Sequence, residues 1–307
     1  MELRHLRYFV AVAEEGGITN AAERRLHTAQ PSLSRQIRDL ELEVGVPLLE
    51  RSARGIALTP AGRTFLDHAR LALLQVEAAG EAARRAAKSQ KAAFVVGFLA
   101  GQELVWLPET LRILREEESE LEITLASQSS PELAGALMRG KVDVAFLRRE
   151  AQAPGLTFKL LVKEPLVVVL PSGHRLAARK EINLRDLAEE TYISPTRVAP
   201  TLKVAIEDYA AKSGVTLEPQ YDAENLSSVL SLVTSTGGVT LMPLYVQMMM
   251  SPAVVIRPLQ GEVPTIDLMI GYSRSNTSPL LKRFLSRVDE LVAHVVKKAA
   301  HAPGTSK

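Results

Sequence analysis

The chain has 307 residues, a formal net charge of +2, 46% hydrophobic residues and 23% charged residues. These values are typical of a globular protein, and the length predicts two or three domains. The absence of cysteine excludes disulfides and cysteine-bound metals, and the six histidines show no metal-ligand spacing. The longest apolar stretch, 92–100, is too short to span a membrane, and the N-terminus lacks the pattern of a signal peptide. We therefore expect a soluble, cytoplasmic protein with no metal or cofactor.

Two helices are predicted at the start of the chain. Apolar residues recur at helical spacing over 3–15, and the glycine pair at 16–17 would end that helix. Thr19 is expected to cap a second, short helix, which a tight turn at 27–28 would end. The apolar positions of this second helix are Ala21, Ala22 and Leu26. Their small side chains would let another helix approach closely.

The segment 30–41, QPSLSRQIRDLE, predicts a third helix with two distinct faces. Leu33, Ile37 and Leu40 fall on one side at helical spacing. The opposite side offers hydroxyl and guanidinium donors and no carboxylate, from Pro31, Ser34, Arg35 and Arg38. A short helix of this kind fits a DNA major groove, where such donors reach base edges and phosphates. The second and third predicted helices would form a helix-turn-helix motif, in which the second helix of the pair enters the groove.

A basic hairpin is predicted to follow. Two short strands at 48–51 and 56–59 are joined by 52–55, so that Arg51 and Arg54 lie at or near the tip. Such a wing could touch phosphates or a minor groove. Residues 1–60 hold eight arginines and eight acidic residues, so net charge does not separate DNA binding from an ordinary solvated surface. Placement of the arginines favours DNA binding.

A long helix is predicted from Thr59–Pro60 to about residue 88, because a cap followed by proline is a helix start. Its apolar residues are separated alternately by four and three residues. This heptad spacing forms an apolar seam along one face of the helix and predicts dimerisation. The seam consists of Phe65, Ala69, Ala72, Val76 and Ala79. The alternative is that this face packs on its own domain.

Beyond residue 91, strands and helices alternate, which predicts parallel α/β layers. Strands are predicted at 94–99, 121–125, 142–147, 166–170, 238–242 and 266–272. Helices are predicted at 104–116, 131–139, 202–213 and 226–235. Ligands of open α/β sheets lie outside the carboxyl ends of strands, near helix N-termini.

Small polar residues follow three predicted strand ends, at residues 99, 125 and 194, and indicate a seat for a carboxylate. They are Gly101, Gln102, Ser129, Ser130 and Thr201. Arg148, at the end of another strand, could balance an acidic ligand or form a salt bridge inside the domain. The motifs GxSxG, P-loop and HExxH are absent, so no catalytic residue is predicted and an enzyme is not expected.

Residues 1–65 resemble the N-terminal domain of LysR-type transcriptional regulators through MELRHLRYFVAVAEE, AAERRLHTAQPSLSRQIRDLE and GVPLLERSARGIALTPAG. The remainder resembles the same family through VDVAFLRR, PLVVVLPSGHRLA and GGVTLMP, closest to the branch that responds to aromatic acids or their breakdown products. The resemblance implies a winged helix-turn-helix at 1–59, a linker and dimerisation helix at 60–91, and an α/β regulatory domain at 92–300. That domain would comprise two periplasmic-binding-protein-like subdomains, 92–163 plus 267–300 and 164–266, followed by a tail at 301–307.

The resemblance also implies roles for individual residues. The groove-facing positions correspond to Gln30, Pro31, Ser34 and Arg35, and the wing contact corresponds to Arg54. The carboxylate-binding positions correspond to Gly101, Ser130, Thr201 and Leu202, with Asn225 and Pro243 expected on the opposite wall. Because Gly101 lacks the hydroxyl that some relatives carry, Gln102 or a backbone N–H would have to replace that donor.

The second helix departs from the family, which spaces it Ala-Ala-x-x-Leu, because this chain has one residue more. That residue has to be absorbed in the helix or in the following turn.

The function that the resemblance implies is a DNA-binding transcriptional regulator whose operator binding or activation is modulated by a small carboxylic, aromatic-derived effector. Its expected partners are double-stranded operator DNA, RNA polymerase and further copies of itself, as a homodimer that assembles to a homotetramer. The alternative is a small-molecule receptor that acts through protein contacts.

Overall fold

The computed structural model describes residues 1–52, 55–88, 93–150, 153, 155–195 and 199–301. The chain divides into two compact units, residues 1–84 and 85–307. Within the described ranges, no helix is both long enough and apolar enough to cross a membrane.

The first unit is a winged helix-turn-helix, as predicted. Its elements are α1 (Leu3–Glu15), α2 (Ile18–Asn20), a π-helical turn (Ala21–Leu26), α3 (Gln30–Val44), β1 (Leu49–Ser52), β2 (Gly55–Leu58) and α4 (Pro60–Lys88). The bounds of α1 match the prediction, and Gly16 ends it in the left-handed region at φ +64°. Strands β1 and β2 pair antiparallel and form the predicted hairpin. Arg54, at its tip, lies outside the described residues.

The second helix absorbs the additional residue as a π turn. The backbone N–H of His27 donates to the carbonyl of Ala22, and that of Thr28 donates to the same carbonyl at 3.0 Å. An insertion into an α-helix is commonly accommodated by such a wider turn. Ala22 consequently stays fully buried. The predicted cap is wrong, because α2 begins after Gly17 and Thr19 makes no capping hydrogen bond.

The helix α4 begins where the sequence predicts. The Thr59 hydroxyl accepts a hydrogen bond from the Gly62 N–H at 2.8 Å and donates to the Pro47 carbonyl at 2.8 Å. Pro60 at the first helical position has no N–H to leave unsatisfied. The helix start is therefore anchored both to its own first turn and to the segment before β1.

The second unit is a mixed α/β domain. Its strands are β3 (Ala93–Leu99), β4 (Glu122–Gln128), β5 (Val144–Leu147), β6 (Leu156–Pro171), β7 (Tyr192–Ser194), β8 (Pro219–Asp222), β9 (Thr240–Pro243), β10 (Val254–Pro258) and β11 (Thr265–Ser273). Its α-helices are α5 (Glu103–Glu117), α6 (Ser130–Met138), α7 (Pro200–Lys212), α8 (Leu226–Thr236), α9 (Pro279–Ser286) and α10 (Val288–His301). Short 3-10 turns cover Arg175–Ala178, Leu184–Leu187 and Leu244–Met249.

Seven of these strands form one mixed sheet, so the prediction of parallel layers holds for only part of it. Strand β3 pairs parallel with β4 and β5, whereas β6 and β11 run antiparallel to their neighbours. The 16-residue strand β6 was predicted only in its second half. Its first half is mostly exposed or only partly buried, so it lacks the continuous apolar run that marks a fully buried strand.

Strand β6 belongs to two packed regions. Its first part pairs with β11, and from Leu166 onward it pairs with β9 and β10. One apolar core is formed by residues from the ranges 94–161 and 268–295, and a separate core is formed by residues from the range 166–266. The register pairs Pro165 with Thr265, so both strands cross between the cores at the same level. This arrangement supports the predicted pair of subdomains joined by two crossing strands.

Candidate DNA interface and ligand cleft

The helix α3 is held by its buried face and leaves its first turns exposed. Leu33, Ile37 and Leu40 are fully buried in the core of the first unit. Four of the residues predicted to face the DNA groove are exposed: Gln30, Pro31, Arg35 and Arg38. The Arg35 side chain is 79% exposed and lies 3.9 Å from the Asp39 carboxylate one turn later. A pair this long and exposed leaves the guanidinium available to DNA.

Ser34 is not on the outward face, contrary to the prediction. It is 9% exposed, and its carbonyl accepts a hydrogen bond from Arg38 Nε at 3.4 Å. The reason is that α3 packs against α1, α2 and the π turn together. Its buried face is consequently wider than the stripe of apolar residues shows.

One carboxylate ties three helices of the first unit together. Glu14 in α1 accepts a hydrogen bond from Arg25 of the π turn at 2.5 Å and from Arg70 of α4 at 2.6 Å. Partial burial acts to raise the Glu14 pKa, but the hydrogen bonds from the two arginines outweigh it and lower that pKa. The carboxylate therefore stays ionised. Both Arg24 and Arg25 are exposed, and Arg25 is engaged in this ion pair.

The predicted dimerisation seam on α4 is divided between two environments. Phe65 packs edge-on against Phe9 at 5.1 Å between ring centroids, and Ala69 is buried in the same core. Ala72 is partly buried against that core. Val76 and Ala79 are exposed. The first half of the seam thus follows the alternative reading, packing within its own domain, and only the second half remains available to a partner.

A cavity of about 330 Å³ lies between the two subdomains of the second unit. Its walls include seven of the nine residues that were predicted to bind the ligand. They are Ser129, Ser130, Arg148, Thr201, Leu202, Asn225 and Pro243. This cavity is named the cleft below.

Three helices begin at the cleft. Ser129 caps α6 and shares a capping box with Glu132, and Asn225 Oδ1 caps α8 by accepting the Ser228 N–H at 2.9 Å. Thr201 lies in the first turn of α7. Helix N-termini present unpaired N–H groups and a partial positive charge. Their convergence makes the cleft suited to an anion although it has little free positive charge of its own.

Two hydroxyl groups of the cleft already have partners. Ser130 is buried, and its Oγ accepts the Arg148 N–H at 2.9 Å, which leaves its own hydrogen for another acceptor. Thr201 donates to the Arg149 carbonyl at 3.1 Å or to Glu150 Oε1 at 3.3 Å. Thr201 and Glu150 belong to different subdomains, so this contact spans the cleft.

Arg148 forms a salt bridge inside the domain, which is one of the two roles that the sequence analysis considered for it. Its guanidinium donates to the Glu164 carboxylate and, at 3.0 Å, to the Ile266 carbonyl. Both charged side chains are almost completely buried, at 5% and 10% exposed. A buried charge needs such a partner. The guanidinium also lies 6.0 Å from the centre of the Tyr245 ring.

Gly101 and Gln102 do not line the cleft. Gln102 is fully buried, and its amide donates to Glu164 at 3.2 Å and accepts from the Trp106 indole at 3.1 Å. The Gly101 N–H is taken by the Glu103 carboxylate at 2.8 Å. Gly101 has φ +92°, and a Cβ there would stand 2.7 Å from the sulfur of Met249. A side-chain hydroxyl therefore cannot occupy this position without displacing its neighbours.

Glu150 and Tyr245 are among the residues of the cleft that the sequence analysis missed. Burial raises the pKa of Glu150, although the hydrogen bond from Thr201 acts to lower it. Tyr245 donates to the Ala100 carbonyl at 3.3 Å, and burial raises its pKa to about 12, so the phenol is neutral near pH 7. Glu150 could have been found by extending the strand-end rule past Arg148. A tyrosine in an apolar segment gives no such signal.

Residues 3–63 match the family described as bacterial regulatory helix-turn-helix protein, lysR family, and residues 87–293 match the LysR substrate binding domain. The Hca operon transcriptional activator HcaR of Escherichia coli (strain K12) is 39% identical over 296 residues, which is 96% of this chain and 99% of that protein. The HTH-type transcriptional regulator AlsR of Bacillus subtilis (strain 168) is 34% identical over 286 residues, covering 93% and 94%.

Solved structures share the fold. The crystal structure of full-length CbnR with its target DNA has a TM-score of 0.56 and 27% sequence identity, and the match covers 95% of this chain and all of that one.

Proposed function

The chain belongs to the LysR family of bacterial transcriptional regulators, and we propose that it binds its operator through α3 and is controlled by a small carboxylic acid held in the cleft. Membership makes it a DNA-binding regulator with an effector-binding domain and not an enzyme. Nothing in the comparisons supports the alternative of a receptor that acts through protein contacts alone.

The observation that carries the effector proposal is the convergence of α6, α7 and α8, whose N-termini meet at one cleft. Backbone N–H groups and the aligned peptide dipoles at those ends favour a carboxylate. Ser130 keeps a hydroxyl hydrogen that it can donate to the ligand. Leu202 and Pro243 supply apolar surface for a ring or an unsaturated chain. Together with the resemblance to regulators that respond to aromatic acids, these features support an aromatic-derived acid.

The DNA interface that we propose comprises the exposed positions of α3 with Arg54 of the wing. Arg35 and Arg38 supply positive charge, and Gln30 and Pro31 lie at the helix start, where a groove is approached first. Ser34 is given the smaller role of supporting the helix, since it is buried.

Further parts of the proposal rest on family membership. We propose the division 1–59, 60–91 and 92–300, and a homodimer that forms through the exposed half of α4 and assembles to a homotetramer. RNA polymerase is proposed as the partner on the promoter. A regulator that binds chromosomal DNA would work in the cytoplasm.

The effector proposal is tested by calorimetry with benzoate-, cinnamate- and muconate-like acids. We expect one of them to bind and Ser130→Ala to weaken that binding by about 0.5–1.5 kcal/mol, or more if Ser130 donates to the carboxylate. Ser227→Ala is the matched control, because Ser227 is exposed on α8 and does not line the cleft. If a tight acid is found and Ser130→Ala binds it as wild type does, the effector does not occupy this cleft.

A further inference from the structure

The described walls of the cleft carry more negative than positive charge, although the effector proposed for it is an acid. Glu132, Glu150 and Glu224 line the cleft, and Arg148 is the single basic residue among its described walls. Arg148 is already neutralised by Glu164. A ligand that offers nothing but a carboxylate and a ring would meet repulsion from these side chains. The lining therefore indicates that the ligand has a further polar group.

Glu150 is a carboxylate of the cleft with acceptor capacity to spare. Glu132, by contrast, is engaged at its own helix, where it accepts from the Ser129 N–H at 2.9 Å and from the Ser129 hydroxyl at 2.7 Å. Glu150 Oε1 accepts from Thr201 at 3.3 Å, and within the described part of the chain Oε2 has no hydrogen-bond partner. An ionised carboxylate has about four acceptor sites and no hydrogen to donate. The partly buried Glu150 side chain therefore presents an unsatisfied acceptor to the cleft.

This acceptor lies close to the seat proposed for the carboxylate of the effector. The Ser130 hydroxyl, at the start of α6, bonds to the Arg148 backbone N–H at 2.9 Å, and Glu150 follows Arg148 by two residues. Two residues of extended chain span at most about 7 Å. Leu202 and Pro243 add apolar surface to the same cavity. The cleft thus combines a seat for an anion, apolar surface for a ring and, at Glu150, an acceptor for a hydrogen-bond donor.

We propose that the effector is an aromatic acid that also carries a hydroxyl group on its ring, and that this hydroxyl donates to Glu150. The inference rests on the function proposed above, since the carboxylate is held at the helix N-termini. A hydrogen bond to an ionised acceptor is shorter and stronger than a neutral one, so the hydroxyl offsets the repulsion between Glu150 and the carboxylate of the ligand. An acid without such a donor keeps the repulsion and lacks the hydrogen bond. Glu150 thereby determines which acids the cleft prefers.

The test is calorimetry at pH 7.5 on the full-length protein with benzoate, cinnamate and their hydroxy and methoxy derivatives, substituted at ring position 3 or 4. We expect a hydroxy derivative to bind at least fivefold more tightly than its parent acid. The corresponding methoxy derivative, whose ether oxygen only accepts, should bind no more tightly than the parent. Glu150→Gln should reduce the preference for the hydroxyl at least threefold, because the amide removes the charge of the acceptor. Glu181→Gln, at an exposed position outside the cleft, is the matched control and should keep the preference.

Ser130→Ala separates this proposal from the one on which it rests. It should weaken binding of a parent acid and of its hydroxy derivative by the same factor, because Ser130 serves the carboxylate and not the hydroxyl. Thermal unfolding verifies that each variant is folded.

Three outcomes would overturn the role of Glu150. If Ser130→Ala weakens binding of an acid but the hydroxy derivatives bind no more tightly than their parents, the effector proposal stands and the preference for a hydroxyl is wrong. The same holds if Glu150→Gln keeps the full preference, or if Glu224→Gln removes it in place of Glu150→Gln. If neither the parent acids nor their derivatives bind, both proposals fail.

Discussion

Thr201 at the start of α7 faces Glu150 across the cleft, with 3.3 Å between the hydroxyl and the carboxylate oxygen. The contact joins the two subdomains, and it places a negative charge where an acid effector is proposed to bind. The partly buried carboxylate of Glu150 is accordingly the residue of the cleft that should oppose such a ligand most directly.

We predict that Glu150→Gln strengthens binding of the preferred panel acid by about two- to fivefold at pH 7.5. Glutamine keeps an oxygen that can accept from Thr201 but removes the charge. Because burial raises the Glu150 pKa, the wild-type carboxyl takes up a proton as the pH falls, and its affinity should approach that of the variant. Calorimetry at pH 7.5 and pH 5.5 measures both. Glu181→Gln, exposed and outside the cleft, is the control; equal affinities for Glu150→Gln and wild type at pH 7.5 would refute the prediction.

The second prediction concerns DNA. Arg35→Ala should cost roughly 1–3 kcal/mol of discrimination between operator and scrambled DNA, because its exposed guanidinium is placed to reach a base edge. Fluorescence anisotropy at two salt concentrations measures it, and far-UV circular dichroism verifies the fold. Arg4→Ala, which removes an exposed arginine of α1 that is paired with Glu2, should have little effect. Unchanged operator affinity for Arg35→Ala would remove this residue from the interface.

The third prediction concerns assembly. Glutamates at Val76 and Ala79, both exposed on α4, should place like charges across a seam between two chains. Light scattering of Val76→Glu/Ala79→Glu should then show smaller species, and DNA affinity should fall because one head cannot span two half-sites. Gln75→Glu changes the charge on a neighbouring exposed face and serves as the control. If the double variant keeps its mass, the exposed half of α4 is not the dimer interface.

The fourth prediction concerns acid stability. Hydrogen bonds from Arg287 and Arg112 lower the Glu290 pKa to about 2, in an ion-pair network that joins α5 to α10. A carboxyl whose pKa is depressed on folding stabilises the fold above its unfolded value, and that contribution is lost as the pH falls toward the folded value. The unfolding temperature of wild type should therefore fall more between pH 5 and pH 2.5 than that of Glu290→Gln.

Glu122→Gln, which alters an exposed carboxylate on β4, should keep the wild-type pH dependence. Parallel curves for wild type and Glu290→Gln would show that the network adds no stability.

The same cluster brings Glu109 and His294 near Glu290, and the atoms of these three residues that could bind a metal ion lie within 4.8 Å of one another. Arg112 donates to Glu109 at 2.6 Å and also binds Glu290, so a cation already stands between the two carboxylates.

Local signals were sufficient for much of the fold. The start of α4 was predictable because Thr59 and Pro60 act within one helical turn. Two of the three predicted strand ends led to Ser130 and Thr201, because backbone N–H groups are left unpaired where a helix begins. Ser34 could not be placed, because its burial depends on how many neighbouring helices pack against α3 and not on the period of α3 itself.

The sequence by itself determined the family, the winged helix-turn-helix, the long helix and two of the strand ends that form the cleft. Only the tertiary structure decided that Gln102 turns inward, that Arg148 is neutralised by Glu164, and that Glu150 reaches Thr201. The physical reason is the range of the interactions. Periodicity and capping act over a few residues of sequence. A charged side chain needs a partner only when folding buries it, and that partner can be far away in the sequence.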